Sequence, residues 1–217
     1  MAEAVTELHD RIAAEAMTYG HAPVLYAGTD GSAHPRHGRP AWSWVTHTGQ
    51  FRTQNCTGNL LTAELGSIID FACTHASKRC GPRKEGGKEF SKAVLFSDSM
   101  QAVRILLTAD ASILSAFPSK RVAQTLRMLR SGALEVVWVR AHHGNLLNDV
   151  ADRLAVLQHR QSWLKLTDRD VRNLAGTIVE GGMLPALASA RWQDIRRQAH
   201  LEWREHDRMH PSAAVPR

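Results

Sequence analysis

The chain has 217 residues, of which 43% are apolar and 22% charged, and its formal net charge is +6. That length allows one domain of about 150 residues plus an appendage, and the composition excludes disorder as the default state. No apolar run approaches the ~18 residues of a membrane span, and the first stretch holds Glu3, Glu7, Asp10 and Glu15 against Arg11 alone, which fits no signal peptide. Cys56, Cys73 and Cys80 make no disulfide framework and predict a reducing, cytoplasmic setting without membrane contact.

Residues 1–20 read as an N-terminal helical segment, with Val5, Leu8, Ile12 and Ala13 on one side. Pro23 to Thr29 reads as a strand ending at Asp30, and Gly31–Pro40, rich in Gly, Pro, His and Arg, as a turn. Ala41–His47 and Phe51–Cys56 are two further strands joined through Thr48-Gly49-Gln50, so the three make an antiparallel meander. From about Leu60 to His75 a helix is expected, because Leu61, Leu65, Ile68 and Ala72 recur at helical spacing. Glu64 falls on that same stripe, which turns an acid inward. Residues 78–92 form a basic, Gly-containing loop.

Ala93–Ser97 lacks polar alternation, as expected for a central strand covered on both faces, and it ends at Asp98. Helices follow from Ser99 to about Thr108 and from Ser119 to Arg130, then a strand, Leu134–Val139. Asn148 is the expected N-cap of a helix from Asp149 to about His159. This order describes an α/β fold, a mixed five-stranded sheet flanked by helices. Beyond Gln161 two helical stretches surround Gly181-Gly182 and Pro185, and Trp192, Ile195, Ala199 and Trp203 offer an apolar seam. The chain thus divides into an N-terminal segment 1–20, a main domain 21–160 and a helical C-terminal extension 161–217, which is a candidate surface for a protein partner.

Charge is distributed unevenly. Residues 21–160 contain seventeen Lys and Arg against ten Asp and Glu, and four of those acids have contexts of their own. Asp30 and Asp98 each close a buried-looking strand, Glu64 lies on an apolar helix face, and Asp152 lies early in a helix. Burying an unpaired carboxylate costs several kcal/mol, so this set calls for cations, and magnesium prefers oxygen ligands. A basic body around an acidic pocket suits a polyanion held by its phosphates. Asp149 is read as a first-turn acid favoured by the helix dipole, and Asp70 and Asp110 as surface acids. Trp42 and Trp44 share a strand face and read as core. His34 and His37, flanked by Pro and Arg, read as a plain turn, and Cys73, His75 and Cys80 lack a second ligand pair at zinc spacing.

Thr29-Asp30-Gly31-Ser32, Ala63-Glu64-Leu65, Ser97-Asp98-Ser99 and the run from Trp138-Val139 through Ala141-His142 and Gly144 to Asn148 and Ala151-Asp152 resemble the motif set of type 1 ribonuclease H. The resemblance covers roughly residues 23–160 and implies a ribonuclease H-like fold. It implies hydrolysis of the RNA strand of RNA–DNA hybrids by two Mg2+ ions, with Mn2+ as a substitute, leaving 5′-phosphate and 3′-hydroxyl ends. Asp30, Glu64, Asp98 and Asp152 are then the metal ligands, and His142 is a proton carrier or an aid to product release. Gly31, Ser32, Asn59 and Asn148 are the expected substrate contacts. His143 has no family counterpart.

Two departures from the family stand out. Leu60 and Leu61 occupy positions where family members place hybrid-contacting asparagines, with Asn59 one place further back. The segment from Asp98 to His142 leaves no room for the basic handle of some bacterial members, for which Lys120, Arg121, Arg127 and Arg130 are partial substitutes. A structure-selective DNA nuclease and a non-catalytic nucleic-acid-binding subunit are the alternatives.

Overall fold

The computed structural model describes residues 24–34, 37–80, 90–188, 201–205 and 208. The expected helix over 1–20, most of the basic loop 78–92, and Trp192, Ile195 and Ala199 of the apolar seam lie outside these residues.

Five strands, β1 (Val24–His34), β2 (His37–Thr46), β3 (Phe51–Asn55), β4 (Lys92–Ser97) and β5 (Leu134–Trp138), form one sheet in the order β3-β2-β1-β4-β5. β1, β2 and β3 pair antiparallel, whereas β4 runs parallel to both β1 and β5. The expected mixed five-stranded sheet flanked by helices is therefore present. The apolar run of β4 has the reason inferred for it. Ala93 and Leu95 pack into one core layer and Val94 and Phe96 into the other, because successive side chains of a strand alternate in direction.

On the first face lie α1 (Leu60–Asp70), α2 (Met100–Thr108) and α3 (Ser119–Arg130). Leu65, Ile68, Val103, Leu106 and Met128 meet Leu25, Trp42, Trp44 and Val136 there. On the second face α4 (Leu146–Arg160) crosses β1 and β2, and α5 (Asp168–Ala188) packs on α4 with Val171, Ala175 and Val179 buried. The first part of the C-terminal extension thus joins the second core layer.

Four expectations need correction. β1 does not stop at Asp30 but continues to His34, because β2 goes on pairing with it after β4 has ended at Ser97 opposite Thr29. The helix beginning at Leu60 is regular only to Asp70. It then widens into a π-helical turn, Phe71–Ala76, followed by Ser77–Arg79. The helix carrying Asp152 starts at Leu146 rather than Asp149, since Asn145 caps it by accepting from the Asn148 N–H at 3.1 Å. Asp70 is not a surface acid but 2% exposed. It accepts from Trp44 Nε1 at 2.9 Å and pairs with Arg52 at 3.1 Å and Arg121 at 2.6 Å. Asp110 is exposed, and it caps a short helical turn, Ala111–Leu114, that the sequence pattern had not indicated.

A candidate metal centre at the sheet edge

The site begins where β4 leaves the sheet. Thr29 of β1 is the last residue to face β4, opposite Ser97, so Asp30 and Asp98 stand side by side just beyond the parallel pairing. This is the carboxyl edge of adjacent parallel strands, where open α/β sheets place ligands. Thr29 Oγ1 donates to the Phe96 carbonyl at 3.3 Å, which ties the two strands just below the acids.

Two helices bring the other acids. Gly31 lets α1 approach β1, since a Cβ at that position would come within 2.9 Å of the Glu64 nitrogen and 3.1 Å of its carboxyl carbon. Gly28 does the same for α4, because a Cβ there would overlap the main chain of Leu147 and Asn148. A pair of glycines three residues apart on β1 therefore sets the depth of both helices around Asp30. α4 is further fixed by Asn148 Nδ2 donating to the Thr29 carbonyl at 2.9 Å and by the Ser43 hydroxyl donating to the Ala151 carbonyl.

Carboxylate oxygens of Asp30, Glu64 and Asp98 all lie within 4.8 Å of one another. Asp152, partly buried on α4, is within hydrogen-bonding reach of the Asp30 side chain. Asp30 and Glu64 are 5% and 6% exposed. None of the ion pairs found among the described residues involves any of the four.

The electrostatics follow from that crowding. Burial, then the Glu64, Asp98 and Asp152 carboxylates, hold the Asp30 carboxyl well above its usual range. Burial and the nearby Asp98 push Glu64 up to about 8. Burial also raises Asp98, while hydrogen bonds from its own backbone and from the Asn148 side chain pull it back down. Glu64 Oε2 is buried and has no hydrogen-bond partner. An all-oxygen donor set with like charges close together and one buried oxygen unsatisfied fits a hard divalent cation.

The remaining expected residues are arranged at different depths. His142 is exposed in the loop before α4, with a left-handed φ of 56°. Burial raises the Asp149 carboxyl, and the neighbouring His142 partly offsets that shift, as it does at Asp98. Gly31 and Ser32 are half-buried on the stretch of β1 that extends past the cluster. Asn59 is exposed and caps α1, exchanging hydrogen bonds with Thr62. Asn148 is 2% exposed, so it supports the acids from behind rather than lining the opening.

Sequence reasoning passed over Gly28 and Asn145. The signal for Asn145 was its position three residues before Asn148 at the head of the helix, which is the capping spacing. Gly28 has no local signature, because what it permits is an approach by Leu147 and Asn148, far away along the chain.

No family model matches this chain, and no curated protein matches it. Among solved structures it is similar to a crystal structure described as LC9-RNase H1, a type 1 RNase H with the type 2 active-site motif, at 20% identity and a TM-score of 0.41. The overlap covers 63% of this chain and 72% of that one, and at such identity it concerns the fold alone.

Proposed function

We propose that this chain is a metal-dependent ribonuclease H, an endonuclease that hydrolyses the RNA strand of RNA–DNA hybrids and leaves 5′-phosphate and 3′-hydroxyl ends. The observation that carries the reading is the buried carboxylate cluster at the sheet edge, with Glu64 Oε2 unsatisfied and no protein cation paired to it among the described residues. Asp30, Glu64, Asp98 and Asp152 would hold two Mg2+ ions, with Mn2+ as a substitute. Bound there, such ions supply a water of lowered pKa and stabilise the leaving 3′ oxygen.

The chain's own residues divide the rest of the work. Asp30 interacts with both Glu64 and Asp152 and would be the ligand common to the two ions, as the resemblance implies. Asn148 holds Asp98 and the Thr29 carbonyl in fixed relation. His142, exposed in the loop before α4, would carry protons between the site and solvent. Gly31, Ser32 and Asn59 would meet the substrate, and the basic excess of residues 21–160 would draw in its phosphates. Between β4 and β5 the chain forms α2, the short turn 111–114 and α3, which supports a form without a separate basic handle.

Among the described residues no helix is long and apolar enough to cross a membrane. We place the enzyme in the cytoplasm, acting on primers or on hybrids left by transcription. A protein partner would meet residues 161–217, where Trp163 and Leu164 are 60% and 52% exposed.

One observation favours a second reading, a structure-selective DNA nuclease. Leu60 stands 47% exposed at the first turn of α1, in a position where the family offers an asparagine to the hybrid's minor groove. A protein tells RNA from DNA through the 2′-hydroxyl, and leucine makes no hydrogen bond to it. The test is incubation with magnesium and matched end-labelled RNA–DNA, RNA–RNA and DNA–DNA duplexes, with Asp98→Asn alongside. Cutting of the hybrid's RNA strand alone, lost in the variant, is the expected result. Cutting of DNA would favour the second reading, and binding without cutting would point to a non-catalytic subunit.

A further inference from the structure

The C-terminal extension reaches the candidate metal centre through two tryptophans. Trp203, in the helical stretch 201–205, lies with its ring centroid 6.1 Å from that of Trp138, the last residue of edge strand β5. The Arg104 guanidinium of α2 lies 5.6 Å from the Trp203 ring, within the range of a cation–π contact. Both indoles line an apolar groove of about 460 Å3 between α2, α3 and β5. Trp138 in turn donates its Nε1–H to the main-chain carbonyl of Asp98 at 3.0 Å.

That last hydrogen bond falls at a sensitive place. The ladder between β4 and β5 ends with Ser97 opposite Trp138, and Val139 N–H closes on the Ser97 carbonyl at 2.9 Å. Asp98 is the first residue outside the sheet. Its carbonyl accepts from the Met100 N–H at 3.1 Å, within its own turn, and from the Trp138 indole across the sheet. A rotation of the Trp138 ring would therefore release the hold from across the sheet on the Asp98 carbonyl, leaving the Val139 contact to Ser97 and the Asn148 contact to the Asp98 carboxylate on either side of it. Trp203 lies against that ring, and Arg104 in turn lies over Trp203.

We propose that Trp203 is a positioning residue for the carboxylate cluster: by seating Trp138 it holds the Asp98 peptide in place, so the C-terminal extension tunes cation affinity and turnover. The proposal rests on the metal-dependent reading given above. It gives residues near the C-terminus a task inside the site, although they contribute no group to it.

The full-length chain would be compared with Trp203→Ala, Trp203→Phe, Trp138→Phe and the Trp138→Phe/Trp203→Ala double variant. Mn2+ affinity would be read by calorimetry without substrate, the Trp138 indole N–H exchange by NMR, and kcat and KM on the hybrid separately. Trp203→Ala should raise the Mn2+ dissociation constant and lower kcat by roughly 10-fold, the lower end of what outer partners of metal ligands contribute. KM for the hybrid should hold, and indole exchange should quicken. Trp203→Phe, which keeps a ring against Trp138 and Arg104, should restore most of the loss. In the Trp138→Phe background, which lacks the N–H, Trp203→Ala should change Mn2+ affinity no further.

A merely structural role predicts a different pattern: Trp203→Ala would lower Tm while Mn2+ affinity and indole exchange stayed as in the parent, and that would overturn the proposal. Additive effects in the double variant would overturn it too. If Trp203→Ala does not fold, Trp203→Leu, which keeps apolar bulk without the ring, takes its place in the same comparison. Absence of Mn2+ binding in the parent chain would instead bring down the proposed function. The indole exchange rate then decides by itself whether Trp203 holds Trp138, and an unchanged rate counts against it.

Discussion

Asp70 and the Asp30 cluster are both buried acids, and the chain treats them in opposite ways. Asp70, 2% exposed, is surrounded by donors supplied by the fold. These are the Trp44 indole, the Arg52 and Arg121 guanidinium groups and the Thr74 hydroxyl. Asp30 and Glu64 are about as deeply buried, yet their neighbours are Asp98, Asp152 and each other. Burying a charge costs several kcal/mol unless it is paired. At Asp70 that cost is offset within the chain. At Asp30 it is left open, and the acids take up protons or wait for a cation. A buried acid is thus informative about function only once its partners have been located.

The largest expected effect comes from breaking the open cluster. Asp98→Asn should lower cleavage by ~100-fold or more, on the scale of removing one group that stabilises developing charge. It should leave Tm equal or higher, because a like charge disappears from among Asp30, Glu64 and Asp152. Activity surviving in this variant would show that Asp98 is not a ligand. Asn148→Ala should weaken cation affinity by about 10- to 100-fold, since the amide that fixes Asp98 and the Thr29 carbonyl is lost. Calorimetry with Mn2+ reads that directly.

The compensated acid should respond the other way round. Asp70→Asn strips the charge that Arg52 and Arg121 face and should destabilise the fold by about 1–3 kcal/mol, seen in denaturant unfolding. Cleavage per folded molecule should be unchanged. A loss of activity without a loss of stability would mean that the two acid sites are coupled.

The smallest effect is a tilt with pH. Glu64 rises from 4.5 in the unfolded chain to about 8 when folded, and Asp30 and Asp98 shift in the same direction. Between those values the folded state binds more protons at this group than the unfolded one, so its contribution to metal-free stability is full below pH 4.5 and is lost as pH rises towards 8. Thermal melts of the metal-free protein should show that decline, and Glu64→Gln should flatten it. Added Mg2+ should raise Tm more at the upper end of the window than at the lower, since the cation binds the ionised form. A Tm that climbs with pH in the absence of metal would contradict the crowding of these acids.

Much of the site was readable before any coordinates. The apolar runs that lead into Asp30 and Asp98 are visible in the sequence, although β1 goes on past Asp30, and the inward face of Glu64 shows as helical spacing, because both signals are local periodicities. The mixed character of the sheet also follows, since a meander followed by crossover helices gives antiparallel and then parallel strands. The start of α4 was misplaced by three residues because Asn145 and Asn148 are both acceptable caps by type. Only the contact with the Thr29 carbonyl shows that Asn148 is occupied elsewhere. Asp70 was misread for a similar reason, as its partners Arg52 and Arg121 stand on other elements and no motif joins them.

By itself, then, the sequence determined the α/β class and the five strands and singled out four acids as candidates, because backbone periodicity and residue type act over a few positions. Tertiary structure alone decided which acids are left without cations, how deeply α1 and α4 settle around Asp30 past Gly31 and Gly28, and that Trp203 lies against Trp138 behind Asp98. Those facts depend on groups tens of residues apart meeting at van der Waals distance, and packing of that kind has no local signature in the chain.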